Sequence, residues 1–243
     1  MDITNEVYVS PYSCYINLTS KCNLRCSHCF GSYSKELENE LNLDEWKKVI
    51  DDLIENKVFY IVISGGEATQ SPFFKEFIQY LVKKGMYFIL TTNGVFSKSI
   101  RDFILNHKEY LISIKFSLDG PNRDSHGFLR LDAGGEFNPK MFDITIENIL
   151  FFKKHKIPIT IASMLHKKNI KLLKEFEKLI KKINPINWFI SPIIPIGRGE
   201  ENNFISEFYD YFDNKFWEHI KKRGEEEKIN VNLIDMPVKM EKH

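Results

Sequence analysis

The sequence predicts a parallel α/β protein built as a partial (β/α)6 barrel. Six apolar, β-branched stretches recur along the 243 residues, each followed by a helical pattern. Several are nearly continuous apolar runs, such as Phe59-Tyr60-Ile61-Val62-Ile63, which suit parallel strands covered on both faces. The loop after the first stretch carries cysteines, where a doubly wound dinucleotide fold would carry a glycine fingerprint. Six units fall short of a closed eight-fold barrel. An open doubly wound sheet is the alternative.

The expected strands cover residues 12–19, 58–64, 86–91, 111–118, 158–165 and 187–194. Asn42 with Glu45 three residues on forms a capping box before Trp46, Val49, Ile50 and Leu53. Ser71-Pro72 places a cap and a first-turn proline on the next helix, which Gly85 ends. Asn138-Pro139 and Asn169 read as further helix starts. In residues 171–182, Leu172, Leu173, Phe176, Leu179 and Ile180 recur at helical spacing, so the lysines there form a solvated face. A last helix is expected over 206–223, stopping at Gly224, with a short strand at 229–234. No linker or internal repeat divides the chain. Residues 1–243 read as one domain, with a core of about 12–200 and a C-terminal extension over 201–243.

Charge excludes some partners. Lysine and arginine number 34 against 33 acidic residues, a net charge of +1, so no global field attracts nucleic acid or an anionic membrane. No apolar run is long enough to cross a bilayer, and residues 1–10 lack the features of a signal peptide. A cytoplasmic location follows, where thiols stay reduced. Three of the four cysteines, Cys22, Cys26 and Cys29, fall within eight residues. That spacing suits a metal or cluster better than a disulfide framework. Three thiolates leave one iron of a four-iron cluster without a protein ligand. Zinc held by the three cysteines and His28 is the alternative, strained because His28 and Cys29 are adjacent. Cys14 alternates with Ile16 and Leu18 on one strand face and reads as structural.

The loop Cys22-Asn23-Leu24-Arg25-Cys26-Ser27-His28-Cys29 resembles the C-x3-C-x2-C signature of the radical SAM superfamily. The resemblance implies a [4Fe-4S] cluster on these cysteines, with S-adenosylmethionine chelating the unique iron. It implies reductive cleavage to a 5′-deoxyadenosyl radical that abstracts hydrogen from substrate. Other strand ends carry similar family motifs. Gly65-Gly66-Glu67 resembles the GGE motif at the methionine amino group, with Ala68 where proline is common. Thr92-Asn93-Gly94 resembles a turn facing the site. Ser117-Leu118-Asp119-Gly120-Pro121 resembles the SLDGP stretch of the peptide- and cofactor-maturing branch, placing Ser117 near the SAM carboxylate or ribose and Asp119 in a polar role. His28 takes the place of an aromatic residue beside adenine. Arg130 is similar to an arginine that reaches the SAM carboxylate, although Gly127 replaces an aspartate and the spacing from Ser117 is one residue longer. Apolar residues of the sixth strand, Ile190 among them, flank adenine before the turn Gly197-Arg198.

The branch often continues into a cysteine-rich SPASM or twitch domain with auxiliary clusters. No cysteine follows Cys29, so the chain reads as a short form or a truncated product. The resemblance implies a peptide or small-molecule substrate and a reductant such as flavodoxin or ferredoxin. A haem or quinone biosynthetic step, a non-catalytic scaffold and a zinc-binding regulator are the alternatives.

Overall fold

The computed structural model describes residues 10–204 and 214–233. Seven strands form one parallel sheet in chain order: β1 Ser13–Asn17, β2 Tyr60–Ser64, β3 Tyr87–Thr92, β4 Leu111–Ser117, β5 Ile159–Leu165, β6 Asn187–Pro192 and β7 Val231–Leu233. A doubly wound sheet reverses direction from an internal first strand. Here each strand pairs with the next in sequence from β1 to β7, so that alternative falls away.

The sheet curls. In a flat sheet, β1 and β6 would lie about 24 Å apart, five strand spacings. Yet the Lys115 ammonium on β4 sits 3.5 Å from the Tyr15 hydroxyl on β1 and 4.5 Å from the centroid of the Phe189 ring on β6. One side chain touching both β1 and β6 requires an open barrel with a concave inner face.

Alternation along each strand divides its side chains between that face and the helices. Ile61 and Ile63, Phe88 and Leu90, Ile114 and Phe116, and Ile161 and Trp188 point to the convex side. They pack on α1 Leu43–Glu55, α2 Phe74–Lys84, α3 Lys140–Lys154 and α5 Leu173–Ile183 through Ile50, Phe77, Phe152, Phe176 and Ile180. Cys14 packs against the same core, as a structural cysteine should. No described helix is long and apolar enough to cross a membrane.

Asn42 caps α1 with the complete capping box, and α2 ends at Gly85 in the left-handed conformation. Four expectations need correction. Ser71 does not cap α2. It closes a 3-10 turn, Ala68–Gln70, and α2 begins at Phe74. Pro139, not Asn138, stands at the cap position of α3, although the Asn138 side chain still accepts from the Lys140 amide at 3.2 Å. Asn169 does not start a helix either. His166 caps the short α4 Lys167–Ile170, with Asn169 completing its capping box. The last described helix, Asn214–Glu226, runs through Gly224, which is a glycine for packing: the Val231 side chain occupies the space a Cβ would need. The expected start at Ser206 lies outside the described residues.

Candidate active site

The strand C-termini and the loops that leave them form one polar rim. The segment after β1 carries Cys22, Cys26 and Cys29, and two other elements shape it. At the end of β2, a Cβ on Gly65 would collide with the Thr19 carbonyl, and one on Gly66 with the carbonyls of Ser20 and Lys21. The paired glycines therefore bring β2 against the start of the cysteine loop. Beyond β6, Gly197 has φ of +59°, and a Cβ there would strike the Phe30 carbonyl. Arg198 then donates from its amide to the Cys29 carbonyl at 3.0 Å, from Nε to the Cys26 carbonyl at 2.8 Å and from Nη2 to the Tyr33 carbonyl at 3.1 Å. Asn202 donates to the Ser27 carbonyl at 3.0 Å. These residues strap the loop through its backbone. The sequence marked Gly197-Arg198 only as a turn near adenine.

Glu67 is buried, and protein groups take both its oxygens. Thr69 and Thr92 donate their hydroxyls at 2.8 and 2.9 Å, and the Asn93 amide donates at 2.8 Å. Its carboxylate orders the turns after β2 and β3. Burial pushes its pKa up, against these donors. Asn93 in turn donates to Asn23 Oδ1 at 2.8 Å and lies 4.0 Å from Cys22 Sγ. Asn23 thus joins the site unannounced by any motif.

The opposite wall centres on Asp119, which is fully buried. One oxygen accepts from the Met164 amide at 2.8 Å and the other from Arg130 Nε at 2.6 Å. His28 Nε2 lies 3.7 Å from the same carboxylate, and His126 Nδ1 accepts from the Asp119 amide at 3.2 Å. Burial works against the Asp119 carboxylate, yet Arg130, His28 and His126 bring its pKa below the usual range. Arg130 is buried too, and its Nη1 lies 3.9 Å from Cys26 Sγ. Asp119 is therefore a positioning residue that aims the guanidinium at the thiol. Gly127 is explained by packing: the Phe137 ring lies where a side chain would stand. Burial lowers His28 to about 4, so the imidazole is neutral, with Nδ1 enclosed and unpartnered among the described residues.

Ser117 ends β4, half-buried at the rim. Ile190 is the site residue the fold moves away. It is fully buried in the core between sheet and helices, because strand alternation turns Phe189 and Ser191 to the concave side instead.

The Cys22 and Cys26 thiols are shifted. Burial raises Cys22, with Glu67 and Cys29 adding to the rise. Burial pushes Cys26 up to about 12, against Arg130 and reinforced by Cys22 and Cys29. A cysteine loop shaped by four strand ends is matched by the family comparison: the Radical SAM superfamily model covers residues 16–183.

The chain belongs to the radical SAM superfamily.

Among curated relatives it is similar to an AdoMet-dependent heme synthase of Methanosarcina barkeri, 28% identical over 191 residues, or 78% of this chain and 52% of the relative. It is also similar to the antilisterial bacteriocin subtilosin biosynthesis protein AlbA of Bacillus subtilis, 26% identical across 82% of this chain and 43% of the relative. The chain thus spans about half the length of these relatives. Streptococcus suis SuiB, solved bound to its precursor peptide SuiA, shares the fold at a TM-score of 0.75 and 15% identity, over 93% of this chain and 49% of that one.

The radical SAM family uses a [4Fe-4S] cluster and S-adenosylmethionine, and the residues fit them. Buried thiols with raised pKa values become thiolates readily only beside a strong positive centre. One zinc ion would draw its sulfurs to within about 3.8 Å of each other. Among the described residues, no three Cys, His, Asp or Glu side chains converge on a single ion. A multi-iron cluster instead spreads its thiolates over separate irons. Donors to the sulfurs are in place: the Leu24 amide lies 3.4 Å from Cys22 Sγ, beside Asn93, and Arg130 lies beside Cys26.

Proposed function

We propose that this chain is a radical SAM enzyme that modifies a peptide. Cys22, Cys26 and Cys29 would hold the cluster, and Ser117, Asn93 and the free face of Arg130 would line the place of S-adenosylmethionine. When bound, the pair supplies reductive sulfonium cleavage and a carbon-centred radical that takes hydrogen from substrate. The protein's share is positioning. The Gly197-Arg198 strap and the Gly65-Gly66 approach fix the loop backbone, Glu67 sets the two neighbouring turns, and Asp119 holds Arg130 against Cys26. Neutral His28 covers the buried side.

The observation that carries this reading is the set of three cysteines on one loop with Arg130 pinned beside Cys26 by Asp119. A peptide substrate is supported by AlbA's part in making a bacteriocin and by the peptide-bound SuiB, both likenesses of this chain. The similarity to the heme synthase supports a second reading, a tetrapyrrole substrate. The proposal includes a cytoplasmic location, flavodoxin or ferredoxin as reductant, and residues 1–243 as one catalytic core.

Anaerobic reconstitution with iron and sulfide, reduction with dithionite and addition of S-adenosylmethionine test it. The expected result is a four-iron signal that shifts with S-adenosylmethionine, and release of 5′-deoxyadenosine. Binding of one zinc without iron would overturn the reading. A cluster that never cleaves its ligand would leave only a scaffold. Cys26→Ala is expected to abolish the cluster absorbance while the far-ultraviolet spectrum stays unchanged.

A further inference from the structure

Lys115 is the one charged residue in the seven described strands. It lies in the middle of the sheet, on β4, and faces the concave side: Ile114 and Phe116 on either side of it are fully buried against the helices. The ammonium meets the exposed Tyr15 on an open face of the sheet, so an anion can reach it from solution. Among the described residues it forms no ion pair. Its contacts are neutral, the Tyr15 hydroxyl at 3.5 Å and the face of the Phe189 ring at 4.5 Å. Both hold the ammonium over the lumen, and neither neutralises it.

A second observation stands beside it. Thr91 is the register partner of Lys115 on β3, and its hydroxyl is enclosed without a hydrogen-bond partner. Lys115, Tyr15 and Thr91 thus present three donors from three strands to the same side of the barrel. The level of these groups separates them from the cofactor rim. Tyr15 sits two residues below the C-terminal end of β1, about 7 Å. Phe189 sits three residues below the end of β6, about 10 Å. The cysteine loop lies above both strand ends.

We propose that Lys115, with the Tyr15 and Thr91 hydroxyls, binds a carboxylate of the substrate inside the barrel, beneath the S-adenosylmethionine site. This rests on the reading of the chain as a peptide-modifying enzyme and names the chemistry its substrate carries, an Asp or Glu side chain close to the modified position. One ammonium and neutral donors balance one carboxylate, while a phosphate dianion would keep an uncompensated charge. The carboxylate anchors the peptide on a rigid strand and presents a neighbouring C–H upward toward the rim.

The test uses the reconstituted, S-adenosylmethionine-loaded protein and two blocked pentapeptides, Ac-Gly-Ala-Glu-Ala-Gly-amide and its glutamine counterpart, with free glutarate as a third probe. Isothermal titration is expected to show the glutamate peptide binding at least about tenfold more tightly than the glutamine one, the usual range for a charged hydrogen-bonded contact. Lys115→Met is expected to erase that preference while S-adenosylmethionine affinity and cluster absorbance hold. Lys115→Arg is expected to restore part of it. Glutarate binding that depends on Lys115, without peptide discrimination, keeps the carboxylate site and moves its source to a small acid. Equal binding of all probes by the native protein overturns the proposal. So does a Lys115→Met loss of S-adenosylmethionine affinity by the same factor, which would assign the ammonium to the cofactor's own carboxylate. Failure of 5′-deoxyadenosine release with the glutamate preference intact would break the catalytic reading and leave this site standing.

Discussion

The convex core and the strand-end rim are built from the same strands by opposite means. In the core, Phe116, Phe152, Ile161 and Trp188 meet one another, and the Trp188 indole donates to Ser163 at 2.9 Å. Stability there comes from area removed from water. At the rim, Asp119, Arg130 and three histidines lie buried around one another, and Glu67 lies buried among threonines and Asn93 on the opposite wall. Burial costs each of them, and specific partners offset the cost. Losses in the core should spread over the whole molecule, whereas losses at the rim should stay local and depend on pH.

The largest effect is expected in the core. Phe116→Ala should cost about 3–5 kcal/mol by chemical denaturation, with no change in the denaturant slope. A cost below 1 kcal/mol would mean the sheet is not anchored through this ring. At the rim, Arg130→Met leaves the Asp119 carboxylate buried without its cation, expected to cost about 3 kcal/mol. Arg130→Met/Asp119→Leu should recover much of that loss without recovering function. A double variant no more stable than the single one would show that the pair does not act through charge.

The histidines give the rim its pH response. Burial lowers His126 to about 3 and His166 to about 4, from 6.5 when unfolded. Between those values the unfolded chain binds more protons, so the stability each imidazole confers is complete above pH 6.5 and is lost as pH falls toward 4. Each contributes about 2 kcal/mol of loss between pH 7 and pH 5. His126→Gln should flatten the curve of unfolding midpoint against pH by that amount, and an unchanged slope would rule the residue out. The smallest effect is expected at the strap. Arg198→Leu should lower stability by about 1–2 kcal/mol and raise amide exchange in residues 26–33 well above the rest of the sheet. Uniform exchange would mean the loop needs no strap.

Legibility in the sequence follows the same division. Strands were readable because apolar runs such as Phe59 to Ile63 depend only on local pattern. The cysteine spacing and the Asn42–Glu45 box were readable for the same reason. Ile190 was misplaced because an apolar run on a doubly covered strand does not reveal which alternate residue faces the lumen. The partners of Asp119 were hidden because Met164 is 45 residues away and Arg130 is 11. No local signal connects Arg198 to a loop 172 residues earlier. Lys115 did leave a trace, a lone charge in an otherwise uncharged strand pattern, and that trace alone would have marked it.

That long span between Arg198 and the cysteine loop sets an order of events during synthesis. Cys22, Cys26 and Cys29 leave the ribosome about 170 residues ahead of their strap. At ordinary elongation rates that gap lasts on the order of 10–30 s. Throughout it the three thiols sit on a loop without its fastener. Anything the cysteines take up in that interval meets an open loop, and emergence of the segment after β6 closes it.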